Sequence, residues 1–198
     1  MIDKSIPLYD VWMYKTDTEN FPKHQLPDGF TFSFYNDGDE KGWARLECEV
    51  GQFANEEEGI YWFNREFVNG QTLSPKDRML FVKDENGEIV ATASLWNGKF
   101  FGSEIHRLHW LAVSSKCAGR GIAKAMLTRL LELYNELGYS GYLGLHTGTR
   151  YYTAVRIYKK FGFKVYDGDA SPFSYKSNED FVKENAITLA LLKEKIGE

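Results

Sequence analysis

Cysteine is scarce in this 198-residue chain, which contains only Cys48 and Cys117. Two cysteines cannot build a disulfide framework for a domain of this size, and their scarcity is typical of a reducing compartment. The chain also lacks any apolar run near the ~20 residues that a membrane-spanning helix needs. No apolar stretch follows the first four residues, so no signal peptide is expected. We therefore expect a cytoplasmic protein that does not interact with membranes.

Proline is also infrequent, with five residues, and there is no internal repeat or low-complexity segment. Apolar residues make up 43% of the chain and aromatic residues 16%, which is enough for a substantial core. This length and composition predict a single domain over residues 1–198. We expect residues 1–29 to be an irregular N-terminal extension, with at most a short edge strand at residues 8–14.

The formal net charge is only −4, but the basic residues are concentrated in one segment. Residues 107–164 hold ten Lys and Arg against two Glu, so this segment carries +8 and the rest of the chain −12. Such a separation indicates an anionic ligand. A pI near 5.7 argues against a nucleic-acid partner and favours a small polyphosphate.

Hydrophobic periodicity predicts a chain that mixes hairpins with helical connections. Two helices are expected early, the second beginning at Asn55, three residues before Glu58. An Asn-Gly turn at residues 86–87 joins two predicted strands into a hairpin. The remaining predictions are a strand over 105–113, a helix over 122–137, a strand over 142–146, a helix over 154–161 and a strand over 163–166. This order predicts an α/β fold with a mixed β-sheet flanked by helices.

The segment 180–195 is ambiguous from its sequence. Ile187, Leu189 and Leu191 alternate as in a strand, whereas Glu184 and Ala186 favour a helix. We interpret this segment as a strand.

A glycine-rich loop lies between the predicted strand 105–113 and the helix that begins near Ile122. Gly119 and Gly121 allow positive φ angles and a close approach of the backbone to a ligand. The first amides of the following helix have no partner within the helix and point towards any anion above them. Lys116, Arg120 and Lys124 add positive charge, so the sequence predicts a phosphate-binding loop.

Two other phosphate-binding loops fit less well. A Walker loop requires Gly, four residues and then Gly-Lys-Ser/Thr, which this segment lacks. A dinucleotide-binding loop requires a third small residue where this chain has Lys124, and that side chain would obstruct close packing of the helix on the sheet. A nucleotide-dependent oxidoreductase is therefore a minor alternative.

Two segments resemble the motifs of the GNAT acetyltransferases. Val113 followed by Ala118-Gly119-Arg120-Gly121-Ile122-Ala123 resembles their motif A, usually written Gln/Arg-x-x-Gly-x-Gly/Ala. Ile157-Tyr158-Lys159-Lys160-Phe161-Gly162-Phe163 resembles their motif B, which commonly ends Leu-Tyr-x-x-x-Gly-Phe. The two motifs occur in the family's order, and the resemblance covers residues 105–166.

The resemblance implies a GNAT-like fold and acetyl-CoA as co-substrate, with no metal ion. In the family the cofactor lies between two splayed strands, here residues 108–113 and 142–146. The strand backbone binds the pantetheine arm and the loop amides bind the pyrophosphate. The cofactor-binding residues implied in this way are Leu111, Ala112, Val113, Gly119, Arg120, Gly121, Ile122, Ala123, Lys124 and Tyr158. A tyrosine takes the place of the motif B asparagine at Tyr151, which removes one expected contact to pantetheine.

The resemblance also implies direct transfer of the acetyl group to a primary amine. Tyr158 matches the family tyrosine near the CoA sulfur and is our predicted general acid, because a phenol stays protonated at neutral pH. His109 matches the second of two histidines on the corresponding strand of serotonin N-acetyltransferase and is our predicted general base. His106, Glu104 and His146 are weaker candidates for the same role.

The sequence leaves several alternatives open. A catalytically inactive sensor of acyl-CoA would have the same fold and the same cofactor loop. The acceptor is either a small-molecule amine or an amine of a protein. The sequence is compatible with a monomer and with a homodimer. Whether a unique base exists is also open, since a chain of water molecules serves some family members.

Overall fold

The computed structural model describes residues 2–69 and 71–197. The strands found there are β1 (Asp10–Lys15), β2 (Thr31–Phe34), β3 (Met79–Lys83), β4 (Ile89–Phe100), β5 (Ser103–Val113), β6 (Leu143–Gly148) and β7 (Lys164–Val165). The α-helices are α1 (Glu40–Glu49), α2 (Glu56–Phe63), α3 (Pro75–Arg78), α4 (Ile122–Glu136), α5 (Tyr152–Lys160) and α6 (Asn178–Ile196). A π-helix, Asn64–Val68, continues directly from α2.

The strands form a mixed sheet in the order β2-β3-β4-β5-β6-β1-β7. Strands β5 and β6 are parallel, with Arg107 opposite Gly144 and Leu108 opposite Leu145. The pairings of β1 with β6, β1 with β7, β2 with β3 and β3 with β4 are antiparallel. The predicted fold class, a mixed sheet flanked by helices, is confirmed. Strand β1 lies between β6 and β7 and is an interior strand, so the expectation of an edge strand near the N-terminus is wrong.

The chain divides into two compact units. The first consists of Met1–Pro22, Asn97–Leu108 and Tyr139–Glu198, and the second of Lys23–Trp96 and His109–Gly138. In the second unit, Trp43 of α1, Phe63 and Phe67 lie in one fully buried aromatic cluster with Phe81 of β3. The same unit contains α4, whose apolar face is fully buried at Met126, Leu127, Leu130 and Leu131.

In the first unit, Trp12 of β1 packs with Phe100, Ile105, Phe173 and Phe181. A polar network surrounds Asp10, whose carboxylate accepts hydrogen bonds from His146 (2.9 Å) and Lys176 (2.8 Å). The hydrogen bonds from His146 and Lys176 outweigh burial and hold the pKa of Asp10 well below its usual value.

The C-terminal segment is helical, so our interpretation of residues 180–195 as a strand is wrong. Its buried residues are Phe181, Asn185, Thr188 and Leu192, which recur at the three- and four-residue steps of a helix. Ile187, one of the residues that alternate, is 46% exposed. Ser177 begins the helix by accepting a hydrogen bond from the backbone N–H of Asp180.

Helix α2 begins where the sequence predicts. The Asn55 side chain accepts a hydrogen bond from the Glu58 amide at 2.9 Å, and the Glu58 carboxylate accepts one from the Ala54 amide at 2.9 Å. Within the described residues, no helix combines the length and the apolar character needed to cross a bilayer.

Candidate active site

The loop after β5 places two glycines at the entrance to α4. A short turn of 3-10 helix, Ser115–Cys117, leads to Gly119 and Gly121, whose φ angles are +79° and +87°. Left-handed backbone of this kind is costly for residues with a Cβ. A Cβ added at either glycine would meet no atom within 4 Å, so the space beside this loop is open.

The amides at the start of α4 form a group of neighbouring hydrogen-bond donors. Among the described residues, no backbone hydrogen bond is donated by the amides of Gly119, Gly121, Ile122 or Ala123. Gly121 is the N-cap and provides no side-chain acceptor, and the first turn contains no acidic residue. An uncapped helix N-terminus with a favourable dipole attracts an anion, so this loop, residues 119–124, is a candidate anion-binding site.

Basic residues lie within the loop and on either side of it in the chain, and one of them contacts an aromatic ring. The Arg120 guanidinium lies 4.4 Å from the centre of the Phe30 ring, an arrangement that favours the cation. Lys116 precedes the loop and Lys124 lies in the first turn of α4. Cys117 is buried at 8% exposure and packs as part of the turn.

Helix α1 holds the loop through a single carboxylate oxygen. Glu49 Oε1 accepts hydrogen bonds from Ser114 Oγ (2.8 Å), the Ser115 amide (2.9 Å) and Ser115 Oγ (2.8 Å). Burial alone would raise the pKa of Glu49, but the hydrogen bonds from the two serines lower it. Glu49 therefore stays ionised and fixes the start of the loop.

Two consecutive residues of β5, His109 and Trp110, contact the same aromatic cluster. Trp110 lies 5.2 Å from Trp43, and the His109 ring lies 6.1 Å from Phe67. Side chains in a regular strand alternate between faces, but Trp110 has a φ of +51°, which interrupts the alternation. A left-handed tryptophan is strained, and its packing against Trp43 and Phe53 holds it in place.

His109 is held by contacts to its ring and to its backbone. Its Nε2 lies 3.4 Å from Glu66 Oε2, and its carbonyl accepts a hydrogen bond from Ser94 Oγ at 3.1 Å. The His109 side chain is 17% exposed and that of Glu66 29%. The candidate base and the candidate anion-binding loop belong to the same unit.

Tyr158 belongs to the other unit, on α5. Its ring meets Phe163 edge to face at 6.1 Å, and its carbonyl accepts hydrogen bonds from the amides of Phe161 and Phe163. The residue is only 7% exposed, and burial raises the pKa of Tyr158 well above that of a free phenol. The hydroxyl therefore stays protonated across the physiological range.

The weaker candidates for the base have other partners. His106 stacks on Tyr139 at 3.9 Å and contacts the side chain of Asn97 at 2.7 Å. Glu104 accepts a hydrogen bond from the same asparagine. His146 is paired with Asp10. Each of these three side chains thus has a polar partner within its own unit.

Sequence reasoning did not identify Glu66 as part of this site, and it did not identify Glu49 as the residue that holds the loop. Glu66 lies three residues after the buried Phe63 on the same helical path, which is the one signal that could have indicated an inward-facing carboxylate. Glu49 follows from no local pattern, because its partners are 65 and 66 residues further along the chain.

A family comparison identifies the class to which this fold and site belong. The model of the acetyltransferase (GNAT) family matches residues 13–163. The chain therefore belongs to the GNAT acetyltransferase family. No curated protein matches the chain.

Solved structures agree with this assignment at the level of the fold. A GCN5-related N-acetyltransferase from Sphaerobacter thermophilus is 23% identical with a TM-score of 0.60, covering 81% of this chain and 50% of its own. A GNAT-family acetyltransferase from Colwellia psychrerythraea is 15% identical with a TM-score of 0.59, covering 81% and 54%. A tandem GNAT protein of the clavulanic acid biosynthesis pathway is 13% identical with a TM-score of 0.58, covering 83% and 52%. This chain thus spans about half the length of these solved chains.

In the parts of the chain that the structure describes, no group of three or more His, Cys, Asp or Glu residues is arranged to hold a metal ion.

Proposed function

We propose that this protein is an N-acetyltransferase that transfers the acetyl group of acetyl-CoA directly to a primary amine. The observation that carries the proposal is the uncapped start of α4, where four neighbouring amides donate no backbone hydrogen bond within the described chain. A pyrophosphate provides several charged acceptor oxygens for such a set of donors. Residues 107–164, with a net charge of +8, would offset the charge of the CoA phosphates.

The residues of the loop fit this ligand. The open space beside Gly119 and Gly121 lets a phosphate approach the backbone, and no acidic side chain in the first turn of α4 would repel it. Leu111, Ala112 and Val113 are half-buried at the end of β5, and in the proposed complex their backbone would bind the pantetheine arm. Arg120 and Lys124 would lie beside the bound phosphates.

Acetyl-CoA supplies the acetyl group as a thioester. In the proposed reaction the acceptor nitrogen bonds to the acetyl carbon as the carbon–sulfur bond breaks. His109 takes the proton that the nitrogen loses, directly or through water, and Tyr158 gives a proton to the departing sulfur. The raised pKa of Tyr158 keeps this proton available at neutral pH.

The first experiment is a thermal-shift titration with acetyl-CoA and CoA, using NAD and ATP as controls. A ligand at 100 times its Kd stabilises the folded state by ~2.7 kcal/mol, which gives a clear rise in Tm. We expect a saturable rise with the two CoA species alone, followed by release of free thiol when primary amines are added. Binding of CoA without thiol release from any amine would instead favour an inactive sensor.

A pair of glycine variants tests the loop itself. Gly121 and Gly138 lie at opposite ends of α4, both have positive φ, and both face open space. We expect Gly121→Ala and Gly138→Ala to lower stability by a similar ~1–2 kcal/mol. Only Gly121→Ala should weaken CoA binding, by tenfold or more in Kd measured by calorimetry. Equal CoA affinity in the two variants would contradict the loop assignment.

A further inference from the structure

The base predicted from the sequence has a carboxylate beside it that the sequence did not reveal. Glu66 Oε2 lies 3.4 Å from His109 Nε2. Hydrogen bonds of catalytic groups are often long before substrate binds and shorten in the working complex. Both side chains are mostly buried, so their interaction is less screened than that of a surface pair.

An irregular helix brings this carboxylate to the histidine. Residues Asn64–Val68 form a π-helix, closed by a hydrogen bond of 2.7 Å from the Asn69 amide to the Asn64 carbonyl. Such wide turns occur frequently at functional sites. Phe63 and Phe67 are fully buried on either side of Glu66, so the segment cannot rotate without disrupting the aromatic cluster.

The histidine is fixed from the strand side as well. Ser94 Oγ binds the His109 carbonyl, and the next residue is the left-handed Trp110, packed against Trp43. This irregular point of β5 directs the His109 ring towards the cluster that contains Phe67. The ring and the carboxylate therefore meet because two separate backbone irregularities face each other within one unit.

A neutral imidazole has one nitrogen that donates and one that accepts. A carboxylate can only accept, so the nitrogen beside Glu66 must be the one that carries the proton. We propose that Glu66 is a positioning residue that holds His109 as the Nε2–H tautomer. The lone pair then lies on Nδ1, which is the atom that takes the proton from the acceptor amine. This inference rests on the proposed function for its catalytic part alone.

The test is nitrogen NMR of the imidazole rings in protein labelled at histidine. The chain has four histidines, and the His109→Gln variant assigns the signals of His109. At a pH where the ring is neutral, we expect a protonated Nε2 and an unprotonated Nδ1 in the unmodified protein. Glu66→Gln retains an acceptor oxygen and should keep this tautomer. Glu66→Ala should produce a mixture, whereas Glu57→Ala, which removes an exposed acid from α2, should change nothing.

Activity measurements separate the two parts of the inference. Glu66→Ala should lower kcat by about tenfold to a hundredfold with little change in the KM for acetyl-CoA, and Glu66→Gln should recover part of this loss. Either of two results would overturn the positioning role. One is an Nδ1–H tautomer in the unmodified protein, and the other is an unmixed Nε2–H tautomer in Glu66→Ala. The expected tautomers in a protein that acetylates no amine would keep the contact but overturn its catalytic use and the proposed function.

Discussion

At the scale of single residues, the candidate site includes a residue whose backbone conformation is strained. Trp110 adopts a left-handed backbone conformation that a tryptophan rarely occupies. Strain of this kind costs ~1–3 kcal/mol and persists only where the surroundings enforce it. Here the rings of Trp43 and Phe53 pack against Trp110 and enforce its conformation. As a result, the side chains of His109 and Trp110 contact the same aromatic cluster.

The role of Tyr158 can be tested by removing one oxygen. Tyr158→Phe keeps the buried ring and its contact with Phe163, so the variant should fold with nearly unchanged stability. We expect kcat to fall at least tenfold while CoA affinity, measured by calorimetry, stays the same. Tyr14→Phe makes the same chemical change on β1 and serves as the control. Unchanged turnover in Tyr158→Phe would show that another group protonates the sulfur.

At the scale of secondary-structure elements, the end of α1 and the loop before α4 form one connected feature. The Glu49 carboxylate binds the two serines that begin the loop, although more than sixty residues separate them in the chain. The Glu49 carboxylate at the end of α1 thereby fixes the position of the loop that leads into α4.

Removing this connection should affect cofactor binding more than folding. Glu49→Ala deletes three hydrogen bonds from an exposed side chain, so we expect a loss of only about 1 kcal/mol in the free energy of unfolding. The loop would lose its anchor, and the Kd for CoA should rise several-fold in calorimetry. Glu49→Gln keeps an acceptor oxygen and should show a smaller effect. CoA affinity that is the same in all three proteins would contradict the anchoring role.

Most elements could be predicted from periodicity and capping, and the errors have physical causes. The glycines around α4 and the Asn55–Glu58 pair are local signals, and the corresponding helices lie where the sequence indicates. The last helix was misjudged because Ile187, Leu189 and Leu191 alternate by chance, and the stripe buried by tertiary packing is a different one. The residues that Glu66 and Glu49 contact are set by chain topology, so no local pattern identifies these partners.

At the scale of the whole molecule, one buried acid links stability to pH. Glu47 is 1% exposed, its Oε1 has no hydrogen-bond partner, and burial raises its pKa to about 8. The folded protein therefore binds a proton that the unfolded chain releases above pH ~4.5. Because the pKa is raised on folding, the stability cost of Glu47 grows between pH ~4.5 and ~8 and is constant above that.

Glu47→Gln should remove this pH dependence. When the pH rises from 5 to 8, we expect the free energy of unfolding to fall by about 3 kcal/mol more in the unmodified protein than in the variant, because the glutamine side-chain amide of the variant does not ionise. Urea unfolding at both pH values measures the difference, and the comparison between pH values cancels the pH-independent effect of the substitution. Glu57→Gln, on the exposed face of α2, is the control. Parallel pH profiles for the unmodified protein and Glu47→Gln would show that Glu47 does not titrate in this way.

The uncapped start of α4 has a consequence beyond ligand recognition. Most helices complete their first turn with a capping side chain, whereas no side chain of the described residues caps this one, and the same helix carries much of the buried apolar surface of its unit. On the proposed function, local opening at this turn is most frequent when acetyl-CoA and CoA are scarce. The lifetime of the protein against proteolysis, and with it the amount present in the cell, would then follow the supply of its own co-substrate.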